Sequence, residues 1–307
     1  MNKDKVLIVI AGPTAIGKTA LAIKIAQHFN TEIVSADSRQ FFKEMSIGTA
    51  KPTHEELQAA KHHFINSHSI KEQVSVGSYE KEALELLNQL FKNHDILVMV
   101  GGSGLYINAV LNGFDELPPV NEEVRAHLND QLINKGISAL QSELQEIDPT
   151  YYAEVDIHNP QRIIRALEVY HATGKPFSSF RTGLKKERPF KSIIIGLDTP
   201  REELYARINK RVDLMIAQGL VEEVKALQDD KHLNSLNTVG YSEIFDYLDG
   251  RITLPKAIDA IKQNTRRFAK RQLTWFRKTE NIHWFKPEEE KEVISFIEKE
   301  ITSPSHV

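Results

Sequence analysis

The residue pattern with the clearest chemical meaning lies near the N-terminus, where Gly12 is followed, after four other residues, by Gly17-Lys18-Thr19. This is the spacing of a phosphate-binding loop, and it stands between an apolar stretch and a helical pattern, as such a loop requires. Glycines let backbone N–H groups line a concave nest, and the following helix N-terminus adds partial positive charge. Lys18 supplies a cation, and the Thr19 hydroxyl can bind Mg²⁺. The sequence therefore predicts a di- or triphosphate site formed by Gly12, Pro13, Thr14, Ala15, Ile16, Gly17, Lys18 and Thr19, with Thr19 as the metal ligand.

A second reactive candidate, Asp37, follows a short apolar strand predicted at residues 32–36. In an open α/β sheet the carboxyl ends of the strands face the ligand crevice, so we expect Asp37 near the phosphate loop. Its carboxylate could act as a general base, or it could cap the turn that begins with it. Spacing alone leaves both roles open.

The apolar strand predicted at residues 96–100 ends in Gly101-Gly102. An ordinary P-loop ATPase has an aspartate at the end of its second apolar strand, where it holds Mg²⁺ and water. The glycines therefore weaken an ATPase interpretation. They permit another group to approach the backbone closely, as small-molecule kinases also allow.

The hydrophobic pattern of the 307-residue chain predicts an α/β fold, in which a P-loop NTPase-like parallel sheet is flanked by helices and carries an all-helical insertion domain. Apolar strands alternate with helices in the first third, and a further apolar strand follows a stretch that has helical periodicity alone. The predicted domains are a P-loop core with C-terminal helices at 1–118 and 191–307, and the insertion at 119–190.

Composition excludes several kinds of site. The chain has no cysteine, so disulfides, zinc fingers and iron–sulfur clusters are ruled out. Its formal charge of −3 argues against a uniformly basic nucleic-acid binder. The apolar N-terminal run is too short to span a membrane and ends in the phosphate loop, so we expect a cytoplasmic protein with no membrane partner.

Two segments are locally basic, a loop at 175–191 and a long predicted helix whose residues 262–278 contain no acid. Both are electrostatic candidates for RNA binding, although such runs are often only solvated faces. Within the helix, we expect Phe268, Trp275 and Phe276 to belong to the core rather than to stack on bases.

Six motifs together resemble the bacterial tRNA dimethylallyltransferase family. They occur in the family's order from Gly12 to Arg277, as GPTAIGKT, ADSRQFFKEMSIGTAKP, GGSGLYINAV, NPQRIIRALEVYHATGKP, TVGYSE and TRRFAKRQLTWFR. The resemblance implies that a dimethylallyl group is transferred from its diphosphate to N6 of the adenosine immediately 3′ of the anticodon. It also implies Mg²⁺ as cofactor, with dimethylallyl diphosphate and the tRNA anticodon stem-loop as partners. No obligate protein partner is indicated, which is compatible with a monomer.

The resemblance assigns roles to individual residues. Asp37 would be the base and Gln40 would hydrogen-bond the target adenine, while Thr19 and Arg207 would act on the phosphate side. Arg211 is a weaker phosphate-side candidate, for which a surface ion pair is the alternative. The catalytic set is thus Asp37, Thr19 and Arg207, and the tRNA-binding set is Asp37, Ser38, Arg39, Gln40, Ser103, Gln161, Arg162, Ile163, Ile164 and Arg165.

General chemistry agrees with these roles. Breaking an allylic carbon–oxygen bond leaves charge on the departing diphosphate, which the loop amides, cations and a metal would stabilise. Adenine N6 is a poor nucleophile because its lone pair is delocalised, so a carboxylate that takes its proton would help.

The chain departs from the family where Gly102-Ser103 replaces the usual Gly-Gly-Thr, which keeps a hydroxyl and loses a methyl group. We expect the role of this position to survive. Eukaryotic members carry a C-terminal zinc finger, which the absence of cysteine excludes here.

Two other functions stay open from the residues alone. A small-molecule or nucleotide kinase on the same sheet would bind ATP and transfer a phosphoryl group. A non-catalytic RNA-binding protein would keep the loop and bind tRNA without turnover.

We predict that Asp37→Ala retains diphosphate and tRNA binding and loses most of the turnover rate, because the variant keeps the phosphate loop and lacks the base. Binding titrations and initial-rate measurements on the same preparation check this. Unchanged turnover would remove Asp37 from the mechanism.

Overall fold

A single parallel β-sheet organises the chain in this computed structural model, which describes residues 4–115, 117–119 and 122–303. Six strands pair in the order β3-β2-β4-β1-β5-β6, and every pairing is parallel. The strands are β1 Val6–Ala11, β2 Ile33–Ser35, β3 His62–His63, β4 Ile96–Gly101, β5 Lys191–Leu197 and β6 Ile282–Phe285.

Helices occupy most of the remaining described chain. They are α1 Lys18–His28, α2 His54–Ala59, α3 Val76–Leu90, α4 Gly104–Asn112, α5 Glu122–Lys135, α6 Ile137–Ile147, α7 Pro149–Glu154, α8 Pro160–Thr173, α9 Arg201–Ala217, α10 Leu220–Lys225, α11 Tyr241–Leu248, α12 Leu254–Phe276 and α13 Glu290–Thr302. Across the described ranges, none of these helices has the length and apolar character needed to cross a membrane.

The central strands are buried on both faces, as a parallel sheet covered by helices requires. Along β1, Ile8 and Ile10 pack in a cluster with α1, whereas Leu7 and Val9 pack in a second cluster with α3 and α4. Alternate residues of a strand point to opposite faces, so a strand with an apolar layer on each side must be apolar throughout. This is why β1, β4 and β5 were recognisable from sequence.

The described chain divides into two compact units, residues 1–111 with 187–307, and residues 112–186. The divisions fall seven and four residues before the expected boundaries of 118 and 190. The second unit contains α5 to α8 around its own core, to which Leu128, Leu140, Leu144 and Leu167 contribute fully buried side chains. Helix α8 begins at Pro160, and Gly174 follows it in the left-handed conformation with φ 70°.

Strand register decides which loops meet in the first unit. Ala11, the last residue of β1, pairs with Gly101 of β4 on one side and with Gly196 of β5 on the other. The phosphate loop therefore begins level with the ends of both neighbouring strands. Packing within the protein requires glycine at position 101, because a Cβ there would lie 2.5 Å from the Ala36 carbonyl oxygen.

We predict that Gly101→Ala lowers the free energy of unfolding by about 1–3 kcal/mol, because the new methyl group is forced against a fixed backbone carbonyl. Gly77→Ala is the matched control. It lies in the first turn of α3, where the nearest atom to an added Cβ is 4.0 Å away. The control should be neutral or up to about 1 kcal/mol more stable. Urea unfolding of both variants checks this, and equal effects would contradict the packing argument.

Candidate active site

The phosphate loop joins β1 to α1 through backbone conformations that favour glycine. Gly12 has φ 150° and Gly17 has φ 108°, while Ala15 between them also has a positive φ of 64°. At Gly12 space is limited as well, since a Cβ would lie 2.9 Å from the Leu197 carbonyl oxygen at the end of β5. These reversals give the loop the geometry of an anion nest ahead of the N-terminus of α1.

Lys18 is held across this loop, where its Nζ donates to the Pro13 carbonyl oxygen at 2.7 Å. Burial lowers the pKa of Lys18 to about 8; the Asp37 carboxylate opposes this shift and the Arg211 guanidinium adds to it. Asp37 and Arg211 therefore act electrostatically on the loop lysine.

Two arginines from successive turns of α9 contact the loop. Arg207 Nη1 donates to the Ile16 carbonyl oxygen at 3.3 Å, and Arg211 Nη1 donates to the Thr14 hydroxyl at 3.3 Å. Arg211 thus contacts the phosphate loop, and the alternative prediction, that it forms a surface ion pair, is wrong. Burial lowers its pKa, and the Asp37 carboxylate opposes that shift.

Asp37 stands at the end of β2 and caps the turn that follows. Its Oδ1 accepts the Arg39 backbone N–H at 3.1 Å, and its carbonyl oxygen accepts the Gln40 N–H at 3.1 Å. Within the described residues no group donates a hydrogen bond to the second carboxylate oxygen, Oδ2. The capping role of Asp37 is therefore confirmed. Its Oδ2 is available to accept a proton, and the role of general base stays a prediction.

The phosphate loop and Asp37 share one cavity of about 410 Å³. Its polar wall combines the end of β2, the turn after β4 and the loop. Its other wall is apolar and comes mainly from α9 and α12. The residues that matter below are, on the polar side, Thr14, Asp37, Ser103, Arg211 and Gln272, and on the apolar side Leu105, Val212, Met215, Ile261, Phe268 and Trp275.

Gln272 of α12 connects two parts of the polar wall and was not singled out from sequence. Its Oε1 accepts the Thr14 backbone N–H at 2.9 Å, and its Nε2 donates to the Gly102 carbonyl oxygen at 2.9 Å. Gly102 makes room for this amide, since a Cβ there would lie 2.3 Å from Nε2. The basic run 262–278 contains three uncharged amides, Gln263, Asn264 and Gln272, and nothing in the sequence distinguishes Gln272 from the other two.

Ser38, Arg39 and Gln40, which were predicted to bind tRNA, hydrogen-bond the turn after β2 to neighbouring parts of the protein. The Ser38 N–H donates to the Ser103 hydroxyl at 3.2 Å, which links the ends of β2 and β4. Arg39 Nη1 donates to the Ser235 carbonyl oxygen at 2.8 Å. Gln40 Nε2 donates to the carbonyl oxygens of Thr49 and Ala50, at 3.1 and 3.0 Å. Its contact with the target adenine stays a prediction.

A half-buried carboxylate, that of Glu223, holds a further segment against the cavity. Glu223 accepts the backbone N–H groups of Ser46, Ile47 and Gly48 at 2.8 to 3.0 Å, and the Tyr241 hydroxyl at 2.6 Å. Burial and the neighbouring Glu223 carboxylate raise the pKa of Tyr241, which keeps its hydroxyl proton as the donor. This contact explains the tyrosine of the TVGYSE motif, and spacing gave no hint of its partner.

The model of the IPP transferase family matches residues 40–279 of the chain. A tRNA dimethylallyltransferase of Christiangramia forsetii is 57% identical over 298 residues, which cover 97% of this chain and 99% of that protein. One from Flavobacterium johnsoniae is 52% identical over 306 residues, at 97% and 99% coverage. The chain belongs to the IPP transferase family.

Solved structures agree with this membership. The tRNA isopentenylpyrophosphate transferase of Bacillus halodurans has a TM-score of 0.72 and 38% identity, with 97% of each chain covered. A eukaryotic dimethylallyltransferase described as acting on tRNA has a TM-score of 0.79 and 25% identity, covering 97% of this chain and 80% of that one. The fold is therefore the P-loop NTPase-like fold of this family, and the chain is a transferase.

The three aromatic residues of the long basic helix α12 were expected to lie in the core, and only one of them does. Phe276 is 2% exposed and belongs to the core as predicted. The prediction was wrong for Phe268 and Trp275, which are 40% and 44% exposed and line the cavity. Helical spacing selects a face of the helix and cannot tell whether a neighbouring element or a cavity lies against it.

The predicted RNA-binding residues of α8 lie in the second unit and fall into two groups. Gln161 and Arg162 are exposed, and Arg165 is half-buried and pairs with Glu168 at 3.4 Å. Ile163 and Ile164 are fully buried in the core of that unit. Their side chains pack in this core and cannot contact RNA. Only their backbone groups could do so, and that role stays a prediction.

The expected metal has one candidate protein ligand. Thr19 lies half-buried in the first turn of α1, beside the nest. Among the described residues no cluster of three or more His, Cys, Asp or Glu side chains could hold a metal ion. A single hydroxyl fits Mg²⁺, because this ion is commonly bound through one or two protein oxygens together with substrate phosphates.

We predict that Gln272→Ala raises the KM for dimethylallyl diphosphate, because Thr14 and the Gly102 turn lose their shared partner. Leaving the Gly102 carbonyl without its donor should also cost about 1–3 kcal/mol of unfolding free energy. Thr274→Ala, whose hydroxyl bonds only within α12 to the Lys270 carbonyl oxygen, is the control and should change neither quantity. Steady-state kinetics and urea unfolding distinguish the two variants, and indistinguishable results would refute the bridging role.

Proposed function

We propose that this transferase moves a dimethylallyl group from dimethylallyl diphosphate to N6 of the adenosine immediately 3′ of the anticodon in tRNA, releasing diphosphate. The observation that carries the proposal is the shared cavity, in which Thr14 of the phosphate loop and Asp37 face an apolar wall. A donor with an anionic end and a small branched hydrocarbon end requires both kinds of surface side by side.

The polar wall suits departure of the diphosphate. As the allylic carbon–oxygen bond breaks, the electron pair stays on the diphosphate oxygen, and negative charge grows there. Lys18, Arg207 and Arg211 contact the loop that would hold this group, and the nest supplies backbone N–H donors. Charge stabilisation aimed at the leaving group lowers the barrier more than equal binding of substrate and transition state would.

The opposite end of the step uses Asp37. The N6 lone pair forms the new bond to the allylic carbon, and the N6 proton passes to the carboxylate. Oδ1 is engaged by the Arg39 N–H, which fixes the orientation of the carboxyl group and leaves Oδ2 to accept the proton. A base held by a backbone contact needs little reorganisation during attack.

Mg²⁺ would be held by the Thr19 hydroxyl together with oxygens of the bound diphosphate, and it would supply further charge neutralisation for the leaving group. The protein residues carry the rest of the step: they position the donor, exclude water from the apolar wall and take up the proton.

The acceptor is proposed from the relatives. The Christiangramia and Flavobacterium proteins are named tRNA dimethylallyltransferases, and the eukaryotic neighbour is described as acting on tRNA. The target adenosine lies in an RNA loop and has to leave its stack to enter a cavity. Gln161, Arg162 and Arg165 are the proposed contacts to the RNA from the second unit.

The decisive experiment incubates the protein with labelled dimethylallyl diphosphate, Mg²⁺ and unmodified tRNA in which an adenosine follows the anticodon. We expect label in RNA and one diphosphate released per group transferred. A matched reaction uses Asp37→Asn, which keeps the size of the side chain and removes its basicity, and we expect its rate to fall by about 10² or more.

Two controls complete this test. A tRNA with guanosine at the target position should take up no label. ATP with small-molecule acceptors should show no phosphoryl transfer. Unlabelled RNA together with ATP consumption would instead support a kinase, and RNA binding without either reaction would support a binding protein.

A further inference from the structure

Large apolar side chains are exposed at few places in the described chain, and half of them surround one opening. They are Leu105, Ile133, Leu184, Leu214, Phe268 and Trp275. Three of these six, Leu105, Phe268 and Trp275, line the 410 Å³ cavity. Exposed apolar surface costs free energy, so its concentration at a functional cavity indicates a surface that is covered in a complex.

The two aromatic rings are held in place by neighbouring residues. Trp275 lies against the start of α4, where a Cβ on Gly104 would lie 2.2 Å from indole Cδ1, so only glycine leaves room for the ring. The guanidinium carbon of Arg271 lies 5.7 Å from the centre of the Phe268 ring. Rings held in this way lose little conformational freedom when a partner binds them.

The surrounding charge favours an anionic partner. Lys262 and Arg277, near the two ends of the basic run, are paired with Asp213 and Asp198. Between them, Arg267, Lys270 and Arg271 form no ion pair with any carboxylate in the described part of the chain. Of these three, Arg271 lines the cavity and lies beside the exposed Phe268 ring. A cation next to exposed aromatic rings is typical of surfaces that bind unpaired nucleic acid.

The dimethylallyl group is too small to be the occupant of both rings. Phe268 and Trp275 are seven residues apart on α12, about 10 Å along the helix axis. A hydrocarbon of five carbons that lies beside the phosphate loop cannot cover both exposed surfaces. Nucleobases can, because each offers a flat face of the size of an aromatic side chain.

We propose that Phe268 and Trp275 form a stacking platform for the nucleobases that flank the target adenosine, with Arg271 beside them. The inference rests on the proposed function and adds to it the residues that stabilise the opened RNA loop. When the target base leaves its stack, its neighbours lose a stacking partner, and aromatic side chains at the mouth of the cavity replace that partner. The platform therefore lowers the cost of extruding the base.

Fluorescence provides the first test, on the protein with its native platform. The chain contains two tryptophans, Trp275 and Trp284. Trp284 packs on β5, where a Cβ on Gly196 would lie 2.7 Å from its ring. The Trp284→Phe variant keeps an aromatic ring at that place and leaves Trp275 as the only tryptophan of the chain. We expect an anticodon stem-loop to quench this fluorescence strongly, and dimethylallyl diphosphate alone to quench it much less. Equal or stronger quenching by the diphosphate, or quenching by neither, would overturn the proposal.

Kinetics provide the second test. We expect Trp275→Ala to raise the KM for the stem-loop about tenfold, and to raise the KM for dimethylallyl diphosphate by a clearly smaller factor. Trp275→Phe, which keeps an aromatic face, should recover most of the affinity. Leu214→Ala is the matched control, because Leu214 is 51% exposed on α9 and does not line the cavity.

An RNA variant separates stacking from a purely structural effect. With an abasic nucleotide at the position that stacks on Trp275, the wild-type protein and Trp275→Ala should have the same KM, because the interaction is already lost. If Trp275→Ala and the abasic nucleotide raised the KM independently and additively, at either flanking position, the platform would be refuted. The proposed function would survive that result as long as the wild-type protein alkylates RNA, and only its failure to do so would remove both.

Discussion

The parallel pairing of β1 with both of its neighbours is the constraint on which the site depends. It aligns Ala11 with Gly101 and with Gly196, so the phosphate loop emerges between two strand ends at one edge of the sheet. Because β2 pairs with β4 in the same direction, Asp37 emerges at that edge too. Groups far apart in sequence thereby meet without any local signal, and the close packing of Gly101 against Ala36 leaves little tolerance for a shift.

In this structure several polar groups of the phosphate loop are paired with other groups of the protein. Lys18 bonds to the Pro13 carbonyl oxygen, and Gln272 accepts the Thr14 N–H. Arg207 and Arg211 of α9 also contact the loop. Internal partners limit the cost of burying charged and polar groups before substrate binds. A diphosphate would therefore exchange with existing hydrogen bonds, and the net gain comes from its charge meeting several cations at once.

Sequence reasoning recovered the elements that follow from local pattern. The buried strands are continuous apolar runs, and Gly174 and Pro160 stand at the two ends of α8. The two-residue strand β3 escaped because His62 and His63 carry no apolar pattern. At the site, motif and strand-end logic placed the loop and Asp37 in one region. The Gln272 bridge and the Glu223 contact join residues 170 and 176 positions apart, so no spacing could reveal them. Exposure of Phe268 and Trp275 escaped because a helix face that lines a cavity has the same periodicity as one that lines a core.

The proposed function requires one cavity that holds the diphosphate in the loop and directs the allylic carbon towards Asp37. A crystal structure with an unreactive thio analogue of dimethylallyl diphosphate tests this claim most directly. We expect both phosphates within hydrogen-bonding distance of the backbone amides of residues 12–19. We expect the hydrocarbon against the apolar wall, with its allylic carbon directed towards Asp37. A diphosphate bound elsewhere, or a hydrocarbon directed away from Asp37, would contradict the account.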